Sequence, residues 1–299
     1  MTDPTQAPAD PSTSARSPYG ERYTTLVRDR GQLCVGIDPH PHLLDAWGLN
    51  RDAAGLERCA RAIVAAVGDR VAVFKPQSAF YEAYGSAGVA VLERVLSDIA
   101  DAGALSLLDV KRGDIGSTMD AYATAYLADG APLAADAITI SPYLGFASLE
   151  PAIALARDTG RGVYVLTRTS NPDSADQQLA RTASGTTGAQ GLIDAAARVN
   201  AEARAESPGL AIGPVGLVVG ATIGANDLDF SELAGSILAP GIGAQGASGQ
   251  DLSIVFGPAA PLVLPSTSRE IMAAGPDVQA LQAATDDALG RMAAGLAVG

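Results

Sequence analysis

Eight short apolar runs recur along the chain, and what lies between several of them has the composition of helices. The runs are residues 33–37, 71–74, 105–108, 137–140, 163–166, 215–219, 236–238 and 262–264. Each is nearly continuous in hydrophobicity, as a strand buried on both faces has to be. Ala- and Leu-rich amphipathic stretches fall between them, among them residues 53–67, 89–100, 120–128 and 192–205. Strands alternating with helices call for a parallel α/β sheet. Eight repeats predict its closure into a single-domain (β/α)8 TIM barrel. An open doubly wound sheet is the alternative, but no Gly-x-Gly-x-x-Gly opens a helix after the first run.

Composition narrows the partners. With 47% hydrophobic and 5% aromatic residues, the chain has an ordinary globular make-up. Its net charge of −13 argues against general nucleic-acid affinity while leaving room for a local basic pocket. Cys34 and Cys59 make neither a disulfide framework nor a zinc signature. The only histidines, His40 and His42, read as part of a solvated loop, so no metal is expected. No apolar stretch approaches the roughly 20 residues that span a bilayer. Residues 1–18 are rich in Pro, Ser, Thr, Ala and Asp and lack the features of a signal peptide. They read as a disordered tail, residues 19–299 as the barrel, and the protein as cytoplasmic.

The residues that follow the runs carry the chemistry. The first run ends in Asp38 and the second in Lys75. The third leads into Asp109-Val110-Lys111-Arg112-Gly113-Asp114-Ile115. Side chains at i and i+2 of a strand share a face, so Asp109 and Lys111 stand side by side. One such pair is no more than a surface salt bridge. Five charges of alternating sign, Asp38, Lys75, Asp109, Lys111 and Asp114, at three successive strand ends converge on one barrel mouth. That is where α/β barrels keep their active sites. The glycines of 240–246 and Arg269, after the seventh and eighth runs, suit a phosphate, which such barrels frequently bind there.

Taken together, these motifs resemble the orotidine 5′-phosphate decarboxylase family. The likeness rests on Asp-x-Lys-x-x-Asp-Ile at 109–115, Gly36-Ile37-Asp38 and Phe74-Lys75-Pro76-Gln77. It also rests on Thr169-Ser170-Asn171-Pro172, the 240–246 glycine loop and Ser268-Arg269, all in family order. The wording of residues 74–81 and 168–172 is similar to the longer bacterial branch. The resemblance implies a cofactor-free, metal-free conversion of orotidine 5′-phosphate to uridine 5′-phosphate, the last step of pyrimidine nucleotide synthesis, by a homodimer with shared active sites. It implies that Lys111 protonates C6, that Asp109 faces the substrate carboxylate, and that Asp38 and Lys75 contact the ribose. Asp114, with Ile115 and Thr118, would come from the partner subunit. Ser170 would bond the pyrimidine, and Gln245 and Arg269 would grip the phosphate.

Two other readings use the same residues. A sugar-phosphate aldolase or epimerase on this scaffold could employ Lys75 or Lys111 as a Schiff-base amine. That requires a depressed lysine pKa, which three nearby aspartates oppose. A non-catalytic nucleotide-phosphate binding barrel would have no need to keep Asp109, Lys111 and Asp114 together.

Overall fold

All eight apolar runs become parallel strands, and the sheet closes on itself. In the computed structural model, which describes residues 16–223, 228–242 and 249–296, the strands are Cys34–Ile37 (β1), Val73–Pro76 (β2), Leu105–Arg112 (β3) and Ala137–Ile140 (β4). They continue with Gly162–Arg168 (β5), Val215–Val219 (β6), Ile237–Pro240 (β7) and Val263–Thr267 (β8). The order around the barrel is the order in the chain, and β1 closes onto β8 through Cys34↔Ser266 and Val35↔Thr267.

Alternation along each strand divides the core in two. Outward residues such as Val35, Phe74, Leu108 and Ile138 join the large cluster beneath the helices. Inward residues such as Cys34, Val73, Leu107, Tyr164, Val218, Leu238 and Leu264 fill the barrel itself. One step of two residues further up, the inward positions turn polar: Lys75, Asp109, Thr139 and Ser266. The barrel thus has an apolar lower layer and a polar mouth, written by the period of two.

The helix Tyr19–Arg30, which precedes β1, plugs the lower end. Tyr19 and Tyr23 enter the interior cluster, and the Tyr19 and Tyr164 hydroxyls lie 2.9 Å apart. Asp136 holds this plug from the side. Its carboxylate accepts bonds from Ser106 N–H, at 2.9 Å, and from the Arg22 guanidinium, at 2.5 Å. Residues 1–15 of the expected tail lie outside the described residues; Arg16 also pairs with Asp136, at 3.2 Å.

Helix Ala53–Val67 has the bounds its periodicity predicts, with Asp52 accepting the Gly55 N–H at 2.8 Å as its cap. Gly85–Asp101, Gly116–Leu127 and Gly188–Glu206 begin about one turn earlier than their apolar pattern does. First turns are often polar, so hydrophobic period marks them poorly. The polar stretch 171–191 holds the short helix Ser174–Gln178 and an Arg181↔Thr187 bridge before the helix Gly188–Glu206 starts.

Asn200, on that last helix and fully buried, ties the helix to β6. It donates to the carbonyls of Val215, at 2.8 Å, and Leu233, at 2.9 Å, and accepts from Val215 N–H, at 2.9 Å. Asn200→Ala strands three backbone groups in a dry interior. The expected loss is about 3 kcal/mol, read as a lower urea midpoint at unchanged slope. A change within about 0.5 kcal/mol would show that water replaces the amide.

Candidate active site

A cleft of about 300 Å3 opens at the C-terminal ends of the strands. Asp38, Lys75, Gln77, Asp109, Lys111 and Thr139 line one wall, all on or just after β1 to β4. The facing wall carries Leu166, Val218, Leu238, Ser170 and Arg269. Roomier hollows lie beside the loop after β5 and between the helices Ala53–Val67 and Gly85–Asp101, but neither gathers a comparable set of buried charges. The chemistry, not the volume, marks the site.

Register brings the charges together. Gly36 pairs with Lys75, and Gln77 bridges to Asp109, so neighbouring inward positions stand at the same height. A Cβ on Gly36 would come within 2.7 Å of Ser268 Cβ, so that position has to stay bare. The Asp109 carboxylate is the centre of the wall. Its Oδ1 accepts from Lys111 Nζ at 2.6 Å and Thr139 Oγ1 at 2.7 Å. Its Oδ2 accepts from Gln77 Nε2 at 2.6 Å and Lys75 Nζ at 3.2 Å. Lys75 Nζ also stands 3.7 Å from Asp38 Oδ1.

The electrostatics follow from this geometry. Burial pushes the Asp109 carboxyl upward, but Lys75, Lys111 and the hydrogen bonds outweigh it and bring the pKa down to about 2. For Lys75, burial works against the charge, and Asp38 and Asp109 more than offset it, so the ammonium is held above its ordinary value. Beneath them burial pushes the Cys34 thiol up to about 12, which keeps it an inert core group. The two lysines differ in access. Only 8% of the Lys75 side chain is exposed, against 46% for Lys111. Lys75 is sealed between carboxylates, whereas Lys111 presents an ammonium to the cleft.

The structure brings Asp38, Lys75, Asp109, Lys111, Ser170 and Arg269 to one cleft, four of the five strand-end charges without Asp114. Among the described residues no carboxylate pairs with Arg269. Gln245 lies outside the described residues. Asp114, Ile115 and Thr118 are not among the residues that line the cleft of their own chain. Asp114 and Ile115 occupy the turn after β3, where Gly113 presses against the Ser141 backbone and leaves no room for a side chain, and Thr118 lies in the first turn of the helix Gly116–Leu127. His40 is half-buried, stacked 5.2 Å from His42 and edge-on to Phe80 at 4.2 Å, while His42 is exposed on the short helix Pro41–Ala46. Among the described residues no group of three or more His, Cys, Asp or Glu is placed to hold a metal. Two residues that the strand-end reading gave no role, Gln77 and Thr139, complete the cage of Asp109. Gln77 stands in the quoted Phe-Lys-Pro-Gln motif, but Thr139 sits inside an apolar run, where a β-branched residue reads as core.

The family model for orotidine 5′-phosphate decarboxylase / HUMPS matches residues 31–284. The chain belongs to that family. A Salinispora tropica orotidine 5′-phosphate decarboxylase is 56% identical over 271 residues, which cover 91% of this chain and 95% of the relative. The Streptomyces coelicolor enzyme of the same name is 52% identical, over 90% and 95%. A crystal structure from Streptomyces avermitilis, provisionally assigned to orotidine 5′-phosphate decarboxylase, superposes with a TM-score of 0.89 at 49% identity, over 95% of this chain and 98% of that one. Decarboxylase family and TIM-barrel fold therefore agree with the sequence reading, and the bacterial relatives agree with the branch it indicated.

The cage has a signature in acid. Asp109 is depressed in the folded state, so its contribution is complete above the unfolded carboxyl value near 4 and is lost as pH falls toward 2. Holding the carboxyl that far below its unfolded value is worth on the order of 2 kcal/mol. The stability gap between wild type and Asp109→Asn should be constant between about pH 5 and about pH 8 and should narrow only below about pH 4. Denaturant titrations across that range measure it; narrowing that begins near neutrality would contradict the caged geometry.

Proposed function

We propose that the chain decarboxylates orotidine 5′-phosphate to uridine 5′-phosphate without metal or organic cofactor, with Lys111 as the proton donor to C6. The observation that carries this reading is the contrast between the two ammoniums. Lys75 is locked between Asp38 and Asp109, while Lys111 is held by Asp109 on one side and open to the cleft on the other. A Schiff-base aldolase needs an easily neutralised lysine, and the carboxylates around these two work the other way.

The bond from C6 to the carboxylate carbon breaks, CO2 leaves, and the electron pair stays on C6. A fixed ammonium stabilises that charge as it forms, then gives up a proton to it and regains one from solvent. Asp109, ionised down to about pH 2, sets a like charge beside the substrate carboxylate. Arg269 and the glycine loop after β7 hold the phosphate, Asp38 and Lys75 the ribose, and Ser170 the pyrimidine. Binding energy from the remote phosphate then supports positioning at C6.

A homodimer with shared sites fits the surface around the mouth. Ile115, Tyr143 and Leu144 are 63%, 80% and 51% exposed, on turns that follow β3 and β4. Large apolar side chains exposed beside the mouth suit a docking face, and a second copy seated there supplies its own Asp114, Ile115 and Thr118 to the neighbouring cleft. We place the enzyme in the cytoplasm; no described helix is long and apolar enough to cross a membrane.

Loss of orotidylate absorbance in the presence of chelator tests the reaction. Lys111→Ala should lower kcat by roughly 10⁴-fold or more while uridylate still binds, since the ammonium acts mainly on the transition state. Near-normal turnover would remove Lys111 from the mechanism. Asp114→Ala should be equally inactive. Dissociating and reassociating the two inactive proteins together should restore about a quarter of wild-type activity, because half the dimers carry one intact site of two. Tagged heterodimers with no activity would place Asp114 in its own subunit's site.

The phosphate end is tested separately. Arg269→Ala removes a charge-assisted pair worth about 2–3 kcal/mol, so kcat/KM should fall by roughly 10²-fold. The preference for uridylate over uridine should shrink with it. An unchanged preference would move the phosphate away from the start of the Arg269–Met272 helix.

A further inference from the structure

We propose that Thr139 is a positioning residue for the decarboxylation, the group through which the barrel wall sets the aim of Lys111. The inference rests on the reading of Lys111 and Asp109 given above. Thr139 lies in the middle of β4, points inward, is 1% exposed and borders the cleft. Its hydroxyl makes two bonds at once: it donates to Asp109 Oδ1 at 2.7 Å and accepts the backbone N–H of Lys111 at 3.0 Å. The side chain of Lys111 returns to the same Asp109 oxygen, at 2.6 Å. One hydroxyl therefore ties both ends of the reactive residue, its backbone and its ammonium, to a single rigid strand.

The backbone needs such a tie. β3 is regular against β4 as far as Leu108↔Ile138 and regains pairing at Arg112↔Ile140. Four steps along β3 are taken against two along β4, so the chain bulges at Asp109, Val110 and Lys111. Bulges next to active sites re-aim a side chain and interrupt the ladder. Lys111 sits there at φ 48°, in the left-handed region; among the described residues only Ala234 shares that sign without being glycine. Such a conformation persists only where its surroundings over-determine it. The interrupted ladder leaves no β4 carbonyl for the Lys111 N–H, and the threonine hydroxyl takes that place. Without it the Lys111 N–H loses its partner, Asp109 loses one of four donors, and Lys111 can relax out of the strained conformation.

A threonine that merely packs would not separate catalysis from binding, whereas this role does. Thr139→Val keeps the shape and removes the hydroxyl. Its kcat should fall roughly 30–300-fold while KM and the affinity for uridylate stay within about threefold, because the phosphate grip lies on the opposite wall. Thr139→Ser keeps the hydroxyl and should return kcat to within about fivefold of wild type. In a Lys111→Ala background, Thr139→Val should cost almost nothing further in kcat, since the two act as a unit. If Thr139→Val does not fold, Thr139→Cys carries the test: a weak donor and acceptor of similar size should lose about tenfold in kcat at unchanged KM. Wild-type kcat in the valine variant, or equal losses in the valine and serine variants, would overturn the proposal while the role of Lys111 stands. Full turnover by Lys111→Ala would overturn the underlying site reading and this inference with it.

Discussion

Everything at the mouth of this barrel depends on one carboxylate being held still. Asp109 is 7% exposed, and an ionised group that deep costs several kcal/mol unless its lone pairs are filled. Four donors from three neighbouring strands fill them: Lys75 and Gln77 from β2 and its end, Lys111 from β3, Thr139 from β4. The same bonds that solvate the charge lock three strands at one height. They also give Asp109 the rigidity that its proposed place beside a substrate carboxylate demands. A mobile side chain would swing away from a like charge and stabilise nothing.

The wall can be this polar because the layer below is not. Tyr164, Val218, Leu238 and Leu264 fill the barrel beneath the cleft, and Tyr19 and Tyr23 seal it from the opposite end. With apolar side chains packed beneath them, the charges interact through a poorly screening medium, where an ion pair is several times stronger than at a surface. The helix Tyr19–Arg30 and its Asp136 anchor therefore matter to a site at the other end of the barrel, because they keep its floor dry.

Much of this could be read in the sequence, for a physical reason. Strands buried on both faces announce themselves as apolar runs, and a charge that ends such a run is conspicuous. Asp38, Lys75, Asp109 and Lys111 were legible on that ground. Thr139 was not, because a threonine between two isoleucines reads as core until the direction of its hydroxyl is known. Nor was the bulge, since nothing in Asp-Val-Lys announces a left-handed lysine; only the mismatch of register between β3 and β4 reveals it. The plug formed by Tyr19 and Tyr23 was hidden by the polar composition of its helix, whose charged residues Arg22 and Arg30 reach back into the barrel's lower rim. The place proposed for Asp114, in the site of a second copy, leaves no mark on the strand ends of its own chain.

The two walls of the cleft divide the labour. Charged groups occupy the side built from β1 to β4, while the facing side offers aliphatic surface, hydroxyls and, among the described residues, Arg269 as its cation. In the proposed complex the facing wall grips phosphate and pyrimidine, while the charged wall holds the ribose and acts on the reacting carbon. On the charged wall Asp38 and Asp109 balance Lys75 and Lys111, so that wall is neutral. A bound substrate carboxylate, and an Asp114 donated by a partner, each add a negative charge that no further cation offsets. Departure of CO2 removes one of them and leaves the developing charge at C6, beside the exposed ammonium of Lys111 rather than beside Asp109. The network thus favours the charge in its later position over its earlier one, which is what a site must do to lower a barrier rather than only to bind.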